Sequence, residues 1–120
     1  ILVVDDNPLV RSTTSAALES MGHSTLEAAS AEEALATIER DEAVDILLTD
    51  HVMAGMTGAQ LTNLVKSRWP GMPIVLASAF ADIHDNLPAG VVRLAKPYGR
   101  DDLVQAINAV LGKQARQARG

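Results

Sequence analysis

The sequence predicts an α/β fold: a doubly wound, five-stranded parallel sheet with helices on both faces. Three observations predict it. Short apolar runs rich in Val, Ile and Leu alternate with segments of helical periodicity along the whole chain. Apolar residues make up 48% of the 120 residues, enough for one core and one domain. Polar residues that can do chemistry (Asp5, Asp6, Asp50, Ser78 and Lys96) directly follow strand-like runs. In open parallel sheets, sites lie beyond the carboxyl ends of the strands.

Residues 1–4 (Ile-Leu-Val-Val) form a continuous apolar run, as a strand buried on both faces requires. The run stops at Asp5-Asp6, and Asn7-Pro8 supplies a capping side chain followed by proline, a helix start. Val10, Thr14, Ala17, Leu18 and Met21 fall on one helical face, and Gly22 suits the position after its end. Residues 24–28 read as a second, more exposed strand. Ser30 with Glu33 forms a capping box, followed by the stripe Ala34, Leu35, Ile38. A third strand over 44–49 runs into Asp50. Thr57 with Gln60 forms a second capping box, Leu61, Leu64 and Val65 supply the stripe, and Trp69-Pro70-Gly71 ends that helix. A fourth strand covers 73–77 and ends at Ser78. Residues 82–89 contain Asp82, Asp85, Asn86 and Pro88 and make a poor helix. A fifth strand over 91–94 leads to Lys96-Pro97. Asp101 and Asp102 favour a helix amino terminus, with Leu103, Ile107, Val110 and Leu111 as its apolar face. Gly112 is expected to close that helix. The domain is therefore placed at 1–112, with 113–120 as a polar, basic, frayed tail.

Composition excludes several classes. There is no cysteine, so disulfides, thiolate metal sites and a Cys nucleophile are impossible. A net charge of −5 disfavours contact with nucleic acid or anionic lipid. No apolar run approaches the ~20 residues of a membrane-spanning helix. Residue 1 is Ile within an apolar run and no signal-peptide pattern is visible, so the expectation is a domain of a longer, cytoplasmic protein. The parent is allowed a membrane anchor elsewhere.

The predicted topology gathers three carboxylates, a hydroxyl and an ammonium at one rim. Neighbouring carboxylates repel, and either take up protons or recruit a cation. An oxygen-only ligand set points to Mg²⁺. Taken singly, each residue has a plainer reading: Asp5-Asp6 as a solvated strand end, Asp50 as a turn residue, Lys96 as a surface charge. His51 reads as a loop residue rather than a ligand, and His23 and His84 have no metal spacing with it. Glu32-Glu33 reads as a helix amino terminus.

In combination these residues resemble the receiver domain of two-component response regulators. Asp5-Asp6, Asp50, Ser78 and Lys96-Pro97 stand in the family's order and spacing. Residues 50–58 (Asp-His-Val-Met-Ala-Gly-Met-Thr-Gly) are similar to its phosphoacceptor loop, with Met three residues and Gly eight residues after Asp50. Lys96-Pro97-Tyr98, with Leu103 beyond, resembles its closing motif. The resemblance covers 1–112. It implies a flavodoxin-like strand order 2-1-3-4-5. It also implies that Asp50 accepts a phosphoryl group from the phosphohistidine of a histidine kinase or phosphotransfer domain. Asp5, Asp6, Asp50 and the backbone carbonyl of Val52 are implied Mg²⁺ ligands. Ser78 is implied to donate to a phosphoryl oxygen, and Lys96 to offset its charge of roughly −1.5 to −2. A cis Lys96-Pro97 peptide is implied, aiming Lys96 into the site.

Three features depart from the family pattern. Ala54 replaces the usual Pro four residues after Asp50. Arg93 occupies the position three before the lysine, where an aromatic switch residue is common. The stretch from Ser78 to Lys96 is shorter than usual by about one helical turn, so the helix over 82–89 is expected to be short. The last two predict an atypical output, not of the DNA-binding kind. Val52 and Phe80 flank the expected path of hydrolytic water and are apolar, which predicts a long-lived phosphoryl state.

The leading reading is a phosphoacceptor module, with a hybrid sensor histidine kinase as parent. It is not a turnover enzyme beyond its own phosphorylation and dephosphorylation. A stand-alone regulator and the receiver half of a transcription factor are alternatives. A Mg²⁺-dependent phosphatase with an Asp nucleophile is a third, but that class resembles D-x-D-x-T where this chain has Asp5-Asp6-Asn7-Pro8. A non-phosphorylated scaffold is the fourth.

Overall fold

Five strands, β1 (Leu2–Val4), β2 (Leu26–Ala28), β3 (Leu47–Asp50), β4 (Ile74–Ser78) and β5 (Val91–Ala95), pair in parallel in the order β2-β1-β3-β4-β5. Helices α1 (Pro8–Ser20), α2 (Ala31–Arg40), α3 (Gly58–Arg68) and α4 (Arg100–Arg119) connect or follow them. The computed structural model describes residues 1–40, 44–53, 55–79, 88 and 90–119, with 113–119 through their backbone alone. The helical segment expected over 82–89, apart from residue 88, lies outside the described residues, as do Ala54, Phe80 and His84. No helix among the described residues is long and apolar enough to cross a membrane.

Period-two alternation sorts the strand side chains between two cores. Leu2, Val4, Leu47 and Ile74 face α2 and α3, packing with Ala31, Ala34, Ile38, Leu61 and Val65. Val3, Leu48, Val75, Ala77 and Leu94 face the other way, against Leu18 of α1 and Leu103, Ala106, Ile107 and Val110 of α4. A parallel sheet covered on both faces needs this double burial. Each fully buried Leu, such as Leu18 or Leu61, contributes about 1.5–3 kcal/mol through area removed from water. The central strands β1, β3 and β4 are buried throughout, while β2 and β5 at the edges are partly exposed.

The caps form where the sequence places them. Asn7 Oδ1 accepts from the N–H groups of Leu9 and Val10, and Pro8 opens α1. Gly22, at φ +95°, follows its end. Ser30 Oγ accepts from Glu33 N–H at the start of α2. Thr57 and Gln60 form the reciprocal capping box of α3. The Asp102 carboxylate accepts from Gly99 N–H at 2.8 Å ahead of α4.

Three expectations fail. Val10 is 37% exposed, because the first turn of α1 sits at the rim beyond the end of β1; Thr14, Ser15 and Leu18 form the buried face. Leu111 is 43% exposed, beside a groove at the opposite, amino-terminal edge of the sheet, where α4 has passed the strands. Gly112 does not close α4. The helix continues to Arg119, and Gly112 is absent from the glycines with positive φ. A glycine ends a helix by adopting the left-handed conformation, and here it keeps the right-handed one.

Candidate functional site

Parallel pairing puts the carboxyl ends of β1, β3, β4 and β5 along one rim. Asp5 follows Val4, Asp50 and Ser78 are the last residues of β3 and β4, and Lys96 follows Ala95. The register sets Val4 opposite Thr49, Asp50 opposite Ala77, and Ser78 opposite Ala95. One ligand oxygen from each of Asp5, Asp6 and Asp50 lies within 4.8 Å of the others. Asp5 (5% exposed), Asp50 (8%) and Ser78 (4%) are buried, whereas Asp6 is exposed. Among the described residues, the set reaches solvent through Asp6.

Local hydrogen bonds hold Asp5 and Asp50. Asp5 Oδ1 accepts from Asn7 N–H at 2.9 Å, and the Asp5 carbonyl accepts from Arg11 Nη1 at 2.9 Å. Asp50 Oδ1 accepts from His51 N–H at 3.0 Å and forms an ion pair with Lys96 Nζ. Lys96 N–H donates to the Ser78 carbonyl at 2.9 Å, and the Lys96-Pro97 peptide is cis. Val52 is 61% exposed in the loop after Asp50, and Met53 is buried in the core beneath it. Arg93 is exposed on β5, opposite Leu76.

The electrostatics follow from this geometry. Burial pushes the Asp5 carboxyl above the ordinary aspartate range; the Asn7 N–H bond opposes the shift and the Asp50 charge adds to it. Burial acts to lower the Lys96 ammonium, but its hydrogen bond to Asp50 and the charges of Asp50 and Asp5 outweigh burial and raise it. The rim thus carries three acids and one paired base, a donor set of hard oxygens suited to Mg²⁺.

The site has supports that sequence reasoning missed. His51 Nδ1 accepts from Ala59 N–H at 3.3 Å, and the His51 carbonyl accepts from Gly58 N–H at 2.8 Å, so this loop residue ties Asp50 to the first turn of α3. Gly58 has no room for a side chain: a Cβ there would meet the Asp50 carbonyl oxygen at 2.2 Å. The spacing of Gly58 from Asp50 was a visible signal. The reach of the His51 ring was not.

Known proteins resemble this chain in sequence and fold. The family model "Response regulator receiver domain" matches residues 1–108. The chain is 36% identical over 119 residues to the transcriptional regulatory protein GlrR of Escherichia coli, covering 96% of this chain and 27% of GlrR. It is 34% identical over 119 residues to the sensor kinase CckA of Brucella abortus, covering 95% of this chain and 13% of CckA. It therefore spans a small part of the length of either relative. A crystal structure of a CheY-like response regulator receiver domain protein from Methanospirillum hungatei superposes with a TM-score of 0.81 at 26% identity, over 97% of this chain and 95% of that one. With the strand order, the acidic rim and a family model spanning the whole sheet in agreement, this chain belongs to the response regulator receiver domain family of two-component signalling.

Proposed function

We propose that Asp50 is a phosphoacceptor, taking a phosphoryl group from the phosphohistidine of a histidine kinase or phosphotransfer domain. The observation that carries this reading is the grouping of Asp5, Asp6 and Asp50 within 4.8 Å, with Lys96 paired to Asp50. In the reaction a carboxylate oxygen of Asp50 bonds to phosphorus as the P–N bond to imidazole breaks. The electron pair of that bond leaves with the imidazole, and an acyl phosphate forms. Catalysis of such a transfer is mainly positioning and charge neutralisation. Asp5, Asp6, Asp50 and the Val52 carbonyl would hold Mg²⁺, which when bound neutralises charge on the transferring group. Lys96 exchanges its Asp50 partner for a phosphoryl oxygen, and Ser78 donates its hydroxyl hydrogen to another. Val52 offers no group to orient a hydrolytic water, so the phosphoryl state is long-lived; a lifetime of seconds contradicts this.

The test is intact mass after incubation with a small acyl phosphate and Mg²⁺. An adduct is expected in the native domain and absent in Asp50→Asn and without metal. An adduct that survives Asp50→Asn overturns the assignment.

The proposed parent is a hybrid sensor kinase, supported by the likeness to the sensor kinase CckA. The likeness to GlrR favours a second reading, the receiver half of a transcription regulator. The coding sequence on either side decides between them: a kinase catalytic domain supports the first, a DNA-binding domain the second.

A further inference from the structure

Lys96 sits on a long, flexible stem, so where its ammonium can go depends on how the backbone beneath it is held. On one side that backbone is fixed by Lys96 N–H donating to the Ser78 carbonyl at 2.9 Å. On the other side, two residues on, the Tyr98 hydroxyl lies 2.9 Å from Thr14 Oγ1, a bond between residues 84 apart in sequence. Thr14 is buried at 4% exposure on the inner face of α1, and the Tyr98 ring packs against the same core as Leu18 and Leu103. The same helix carries a second tie one turn earlier. Arg11 donates through Nη1 to the Asp5 carbonyl at 2.9 Å and through Nε to Glu27 Oε1 at 3.0 Å. Residues three apart share a helix face, so α1 holds the acid pair with one side chain and the lysine loop with the next.

We infer that α1 is a crossbar setting the distance between the acidic pair and Lys96, with Thr14 and Tyr98 as positioning residues for Lys96. The inference rests on the phosphoacceptor reading and deepens it. Thr14 and Tyr98 touch no reacting atom. They keep the Lys96 ammonium where it meets charge developing on the transferring group, an alignment worth more in the transition state than in the ground state. Asp5 and Asp50 have backbone donors of their own in Asn7 and His51, so loss of the Thr14–Tyr98 bond acts first on the lysine side.

Tyr98→Phe and Thr14→Val each delete one hydroxyl and keep the shape. Thr14→Ser keeps the hydroxyl. Each variant of the 120-residue domain is assayed for its rate of adduct formation at saturating acyl phosphate and Mg²⁺, for Mg²⁺ affinity and for melting temperature. One neutral hydrogen bond corresponds to a rate loss of roughly fivefold in Tyr98→Phe and in Thr14→Val. Mg²⁺ affinity and the donor concentration for half-saturation should stay unchanged, and the double variant should be no slower than either single one. Thr14→Ser should restore the native rate.

Native rates in both hydroxyl-deleted variants overturn the inference, whatever the melting temperatures. So do losses that multiply in the double variant, equal losses in Thr14→Ser and Thr14→Val, or a parallel fall in Mg²⁺ affinity. These outcomes leave the phosphoacceptor reading standing, because the native domain still forms its adduct. Absence of an adduct in the native domain overturns both.

Discussion

At 5% exposure and beside the Asp50 charge, the Asp5 carboxyl keeps its proton to a higher pH in the fold than in the unfolded chain. A raised acid pKa means that the native state binds the proton more tightly. Stability is then greatest below the unfolded value, falls as pH rises from there through the folded value, and stays low above it. Ionised Asp5 therefore weakens the metal-free domain at neutral pH. Asp5→Asn, which still offers an oxygen to Asn7 N–H, should melt at higher temperature than the native chain at pH 7 without metal. The gap should close as pH falls below the ordinary aspartate range. Thermal melts across pH check this, and a variant less stable than native at pH 7 contradicts it. Lys96 behaves in the same sense, at a much higher pH. Its raised value means its contribution is complete below the ordinary lysine value and disappears as pH climbs through the folded value. These residues were readable in the sequence because each follows a strand, and a parallel sheet brings strand ends together. The Thr14–Tyr98 bond was not, since Thr14 reads only as a member of an apolar stripe and its partner lies 84 residues away.

Two glycines show how far local signals carry at the scale of elements. Gly58 opens α3 directly against the loop that follows Asp50. A Cβ there would also meet His51 Cα and Leu76 Cδ1 at 2.7 Å. Backbone atoms cannot give way as a flexible side chain does. Gly58→Ala should cost about 1–3 kcal/mol and slow adduct formation, since relief of the clash moves Asp50. Denaturant unfolding with the mass assay checks both; an unchanged midpoint would count against the packing seen here. Gly112 is the reverse case. A Cβ there meets nothing within 4 Å, and the helix runs through it to Arg119. Gly112→Ala should stabilise by about 0.5–1 kcal/mol if α4 continues in solution, whereas a left-handed Gly112 at a helix end would make the same change destabilising. The starts of α1, α2 and α3 could be read from the sequence because capping chemistry acts within four residues. The end of α4 could not. A glycine before a basic segment looks the same whether it stops a helix or sits inside one, and the backbone conformation that distinguishes the two is not written in the residue type.

At the scale of the whole molecule, the fold concentrates negative charge that the unfolded chain keeps apart. Positions 5 and 6 meet position 50 only because β1 and β3 pair in register, Val4 opposite Thr49. Lys96 offsets one of the three acids. The chain as a whole, at −5, supplies no surplus of bases to offset the rest. A divalent cation that fits this rim binds the native state and finds no equivalent site in the unfolded one. Its binding free energy then appears as folding stability, growing with the logarithm of free ion concentration and reaching about 2.7 kcal/mol at one hundred times the dissociation constant. Melting temperature should therefore climb steadily with Mg²⁺ above a threshold near that constant. Monovalent salt at equal ionic strength should give a smaller, featureless rise from screening alone. In Asp6→Asn the Mg²⁺-dependent rise should shrink sharply while the monovalent response stays the same. That variant separates a bound ion from general screening, because Asp6 is exposed and its replacement leaves both cores intact. If Mg²⁺ raised the melting temperature of both proteins equally, the stabilisation would come from the charge of the whole surface, and the acidic rim would not be a metal site.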